Sequence, residues 1–128
     1  MIMIYEDDSL VGEDLLEMVA GYSQTDAVLF DDIGEMVVAI KDAPRPPCLV
    51  FVCYRAEAPH MTRSLEELEA MDFPVVLVDG ALAVGERGLP DHWFSLSKPF
   101  TDGSIARLFQ MLVNAGATFG TPDRRPDP

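Results

Sequence analysis

The sequence predicts a single α/β domain, a doubly wound five-stranded parallel sheet with strand order 2-1-3-4-5. Three observations carry this. Short apolar runs alternate with stretches whose apolar residues recur at helical spacing. The runs are apolar on both faces, as parallel strands covered by helices on either side must be. Right-handed crossovers then narrow the topology, and 128 residues suit one domain.

MIMIY (1–5) reads as the first strand, ending in Glu6, Asp7 and Asp8. Ser9 is the expected N-cap of a helix over 10–21, with Leu10, Leu15, Met18 and Val19 on one stripe and Gly21 near its end. DAVLF (26–30) reads as the second strand. A helix over 32–42 carries Ile33, Met36, Val37 and Ile40, and Asp31 and Asp32 suit its positive end. APRPP (43–47) breaks the chain before CLVFVCY (48–54), the third strand. Residues 55–61 form a loop holding Pro59.

TRSLEELEAM (62–71) reads as a helix with Thr62 as N-cap and an acidic outer face of Glu66, Glu67 and Glu69. Pro74 opens the fourth strand, VVLVD (75–79). The glycines and proline of GALAVGERGLPD (80–91) predict a short or weak fourth helix. The fifth strand falls near 93–97, and Lys98-Pro99-Phe100 lead into a last helix over 102–115. The domain is expected over 1–116, with a flexible tail over 117–128 whose Pro-rich ending reads like a natural terminus.

Charge narrows the partners. Nine basic and 22 acidic residues give a net charge of −13. Such a surface repels phosphate backbones and anionic lipids and attracts a basic protein face. Direct nucleic-acid binding is not expected, although acidity alone also serves solubility. No apolar stretch reaches a membrane span. The N-terminus turns acidic too soon for a signal peptide. Cys48 and Cys53 lie in one apolar run at an odd separation, which predicts opposite strand faces and no bridge or shared metal. This is reduced-thiol usage, and a cytoplasmic protein is expected.

Enzyme signatures are missing. The chain has no G-x-S-x-G elbow, no G-x-x-x-x-G-K loop and no G-x-G-x-x-G after the first strand. A cysteine phosphatase wants an arginine at a fixed spacing beyond its Cys, where Pro59 and Tyr54 stand. Acids after the first strand disfavour a phosphate-bearing cofactor. His60 and His92 are isolated and read as surface loop residues. The chain is not expected to be an enzyme.

The predicted topology gathers ligands outside the carboxyl ends of the strands. Glu6 and Asp7 stand there on the first strand, Cys53, Tyr54 and Arg55 on the third, Asp79 and Gly80 on the fourth, and Lys98 on the fifth. Over roughly residues 1–115 the chain resembles the receiver domain of response regulators, a flavodoxin-like fold. The resemblance rests on IMIYEDDSLV (2–11), PPCLVFVCY (46–54), FPVVLVDG (73–80) and SLSKPF (95–100).

The resemblance implies a phosphorylation site in degenerate form. By position, Glu6 and Asp7 match the acid pair that helps hold Mg²⁺, and Lys98 matches the lysine that pairs with the phosphoacceptor. Cys53 stands in place of the acceptor aspartate, Asp79 in place of a hydroxyl, and Ser95 in place of the switching aromatic. The stretch between Asp79 and Lys98 is about one helical turn short of the family pattern. A thiol offers Mg²⁺ no hard oxygen. Asp79 adds negative charge where a phosphoryl group would sit, and like charges about 4 Å apart repel by roughly 4 kcal/mol at an effective dielectric near 20.

These departures predict a two-component signalling module that is not phosphorylated in the usual way and requires no cofactor. Lys98 is expected to pair with Asp79 or Asp7. Partners implied are a histidine kinase, another regulator or a second copy of the chain. The expected contact face combines the fourth helix, fifth strand and last helix, through Leu82, Val84, Trp93, Arg107 and Met111. Two alternatives stay open: a regulator phosphorylated on Asp7, Asp8 or Asp79, and a redox sensor built on Cys53.

Overall fold

The structure, a computed structural model, describes residues 1–80 and 88–117. Five parallel strands form one sheet in the order β2-β1-β3-β4-β5. The strands are β1 (Ile2–Tyr5), β2 (Ala27–Phe30), β3 (Leu49–Cys53), β4 (Val75–Val78) and β5 (Trp93–Leu96). Four helices are described: α1 (Ser9–Ala20), α2 (Ile33–Asp42), α3 (Met61–Glu69) and α4 (Asp102–Asn114). The expected sheet and its order are observed. Residues 81–87 of the stretch expected to hold a helix, and residues 118–128 of the expected tail, lie outside the described residues. Ala117, placed at the tail's start, bonds through its N–H to Leu112 O and packs against the core.

The pleat divides the core in two. Ile2, Ile4, Leu49, Phe51, Cys53, Val76 and Val78 face α1 and α4, where Leu15, Val19, Ile105 and Phe109 meet them. Met3, Tyr5, Val50, Val52, Val75 and Leu77 face α2 and α3, where Ile33, Met36, Ile40 and Leu68 pack. Each central strand is therefore apolar at every position.

Caps set the helix entries, and two differ from expectation. Asp8, not Ser9, caps α1, its Oδ1 accepting from Leu10 N at 3.0 Å and Val11 N at 3.3 Å. A carboxylate there also meets the helix dipole favourably. Helix α3 starts one residue before Thr62. His60 occupies its cap position in the left-handed region at φ 66°, without a side-chain cap. Asp32 caps α2, and Thr101 with Ser104 closes a capping box on α4.

The cysteines correct the strand-face argument. Both pack against the α1/α4 side, Cys53 as a core member and Cys48 from the strand's approach, and both are free. The period-2 rule fails because Cys48 precedes β3, where the chain is no longer pleated with the sheet.

Candidate functional site at the carboxyl ends of the strands

Glu6 follows β1 directly and is 1% exposed. An enclosed carboxylate requires partners. Lys98 Nζ donates to its Oε1 at 2.8 Å, and the Asp8 backbone N–H donates to its Oε2 at 3.0 Å. The Cys53 side chain, at the end of β3, is a further neighbour that favours the Glu6 carboxylate. Burial alone would push the Glu6 carboxyl up. The Lys98, Asp8 and Cys53 hydrogen bonds and the Lys98 charge outweigh it and hold Glu6 below the usual carboxylate range.

Lys98 shows the reverse balance. Burial favours its neutral form, but the bond to Glu6 and the attraction of its charge hold it above the ordinary lysine value. Cys53 is 1% exposed, and burial pushes its thiol far above a free cysteine. The Glu6 charge and the bond to Glu6 push it further, against the smaller pull of Lys98. Burial and the Glu6 charge thus both disfavour the thiolate, the form a nucleophile needs.

The second acid has its own cation. Arg55, in the loop after β3, brings Nε to 2.5 Å from Asp7 Oδ1, and its Nη2 lies 3.9 Å from Glu6 Oε2. Beneath them Tyr5 is buried, and its phenol is pushed up to about 12 by burial and by the charges of Asp7 and Glu6.

Asp79 plays a different part from the expected ion pair. It sits after β4 in the left-handed region at φ 56°, and its Oδ1 accepts the backbone N–H of Lys98 at 3.0 Å. Asp79 therefore fixes the Lys98 main chain, while the ammonium crosses to Glu6 rather than to Asp79 or Asp7. The reason is reach. Residue 98 lies just beyond β5, the strand paired with β4, so the turn at Asp79 brings its carboxylate back onto that backbone. The long lysine stem is then free to run on to Glu6.

The remaining expected residues do not join this cluster. Ser95 is exposed in β5, in register with Leu77. Trp93 is 9% exposed and belongs to the α2/α3 side of the core, so it offers no open contact surface. Arg107 and Met111 are exposed on α4, while Leu82 and Val84 lie outside the described residues. His60 and His92 are exposed, both at positive φ. The sequence reading noted Arg55 at a strand end but gave it no role. The available signal was charge: two acids close one strand end, with a cation two positions beyond Cys53 on the neighbouring strand.

The residues do not fit a hard divalent cation. Both Glu6 oxygens accept protein donors, Asp7 is paired with Arg55, and the end of β3 offers sulfur instead of a hard oxygen. Among the described residues, no group of three or more His, Cys, Asp or Glu side chains is arranged to hold a metal ion.

No family model matches the chain. No curated protein matches it either. Solved structures do. A response regulator receiver protein from Sinorhizobium medicae WSM419 is similar at TM-score 0.67 and 20% identity, over 89% of this chain and 94% of that one. The REC domain of the PhyR response regulator from Erythrobacter litoralis is similar at TM-score 0.68 and 18% identity, over 99% of this chain and 94% of that one. The PhyR stress response regulator is similar at TM-score 0.64 and 26% identity, over 96% of this chain and 46% of that one. The chain thus spans less than half the length of that last protein. The fold is that of the response regulator receiver domains it resembles.

Proposed function

We propose that the chain is an atypical receiver-like module of two-component signalling. It acts through protein contact and is not phosphorylated at the end of β3. One observation carries the reading: the end of β3 holds a cysteine that is 1% exposed in place of an oxygen nucleophile, while Lys98 Nζ is committed to Glu6 at 2.8 Å. Phosphoryl transfer at such a site wants an oxygen nucleophile, a bound cation and a positive partner for the growing charge. Here the nucleophile is replaced and the positive partner is engaged.

The other acids have structural work. Asp7 pairs with Arg55, Asp8 caps α1, and Asp79 holds the Lys98 backbone. That supports contact signalling over phosphorylation on a substitute acid. The protonated Cys53 likewise counts against a thiolate redox sensor. The net charge of −13 suits a partner with a basic face, such as a kinase or another regulator.

The test is direct. Wild type is incubated with Mg²⁺ and acetyl phosphate, and its intact mass is measured. An unchanged mass is expected. A phosphoryl adduct on the wild-type chain overturns the reading.

A further inference from the structure

The acid pair is already balanced from within the chain. Glu6 and Asp7 supply two negative charges at the end of β1. Lys98 Nζ at 2.8 Å from Glu6 and Arg55 Nε at 2.5 Å from Asp7 supply two positive ones. Arg55 also spans the pair, with Nη2 3.9 Å from the second Glu6 oxygen. We infer that Arg55 is a built-in counter-cation that, with Lys98, takes the place of a divalent ion between Glu6 and Asp7 and keeps such ions out.

This rests on the reading above and goes beyond it. Replacing the acceptor accounts for the missing phosphorylation. It does not account for what happens to an acid pair left without a metal. Two adjacent carboxylates, one of them enclosed, need positive charge nearby. A guanidinium meets the need well, because it stays charged at any ordinary pH and its fork reaches two carboxylates at once. Arg55 reaches them from the loop after β3, the strand beside β1. Its third contact, Nη1 to Glu57 at 4.0 Å, lies on the outer side, where Glu57 is exposed. The cation is thus held between the acid pair and solvent.

The consequence concerns repair of the site. In Cys53→Asp the new carboxylate gives Lys98 a second partner, but Arg55 stays on Asp7. Restoring the acceptor alone therefore does not restore a metal site. Restoring the acceptor and removing the guanidinium does.

Mn²⁺ titration followed by loss of the free-ion EPR signal tests this on wild type, Cys53→Asp and Cys53→Asp/Arg55→Gln. Circular dichroism checks that each is folded. Wild type and Cys53→Asp are expected to show no saturable uptake, and the double variant to take up Mn²⁺ saturably. Equal binding by Cys53→Asp and the double variant overturns the inference, as does a folded double variant that binds no Mn²⁺. If the double variant does not fold, Cys53→Asp/Arg55→Ala is titrated in its place, and binding equal to that of Cys53→Asp overturns the inference. None of these outcomes bears on whether the wild type accepts a phosphoryl group, which the mass measurement decides separately.

Discussion

Lys98 and Glu6, 92 positions apart in the chain, meet at 2.8 Å across the carboxyl ends of β1 and β5. The pair joins the last strand to the first across the intervening β3 and β4. Glu6 is enclosed, whereas the Lys98 side chain keeps 28% of its surface exposed. Removing one partner leaves the other charge poorly compensated. Glu6→Gln is expected to destabilise the fold by about 2–3 kcal/mol, below the range for a fully enclosed pair because Lys98 is partly hydrated. Urea unfolding of Glu6→Gln, Lys98→Met and the double variant measures the coupling. Additive losses would show that the contact carries no energy of its own.

The same pair fixes a pH dependence. The Glu6 carboxyl is held below its unfolded value, so its contribution is present above that value, about 4.3, and is lost as pH falls through the folded value. Lys98 is held above its unfolded value, about 10.4, so its contribution is present below that value and is lost as pH rises through the folded one. The Tm gap between wild type and Glu6→Gln should be flat from about pH 5 to about pH 10 and shrink on either side. A gap that persists unchanged at pH 3 would mean that Glu6 stabilises the fold by its shape rather than its charge.

Thiol reactivity separates the two cysteines. Cys53 is enclosed and pushed well above a free thiol, while Cys48 is half-buried at the sheet's opposite end. With a disulfide reagent at pH 8, Cys48 should react first and Cys53 only on global opening. A Cys48→Ser protein that reacts at the rate of a free thiol contradicts the assignment.

Gly80 closes the turn after β4. It is buried, and a Cβ there would overlap Leu77 Cγ. The contact falls on the branch point of a side chain that is itself buried, so little can yield. Gly80→Ala should cost about 1–3 kcal/mol in urea unfolding. A neutral result would show that Leu77 has room to change rotamer.

The architecture was legible because the strands advertise themselves. MIMIY, CLVFVCY and VVLVD are apolar without alternation, which only a doubly covered parallel sheet explains. Convergence of Glu6, Cys53, Asp79 and Lys98 followed from topology alone. Pairing within the cluster did not. A lysine stem reaches several carboxylates, and the left-handed turn that sends Asp79 to a backbone N–H leaves no mark when the residue is not glycine. Caps failed in a similar way: Asp8 and Ser9 are both good N-caps, and only the backbone shows which one turns its side chain onto the helix. Trp93, assigned to the expected contact face, packs on the α2/α3 side of the core and is 9% exposed.

Asp8 bonds in two directions at once. Its own N–H is held by Glu6, and its carboxylate holds the amides of Leu10 and Val11. The strand-end charge cluster and the first turn of α1 therefore share one hinge. One peptide group thus links the Glu6 carboxylate, bonded to Lys98, to the start of the helix. Leu10, 76% exposed, stands on the outer surface at that start. Hydrogen exchange at the amides of Leu10 and Val11 is therefore expected to quicken in Glu6→Gln, where the acceptor of the Asp8 N–H is altered.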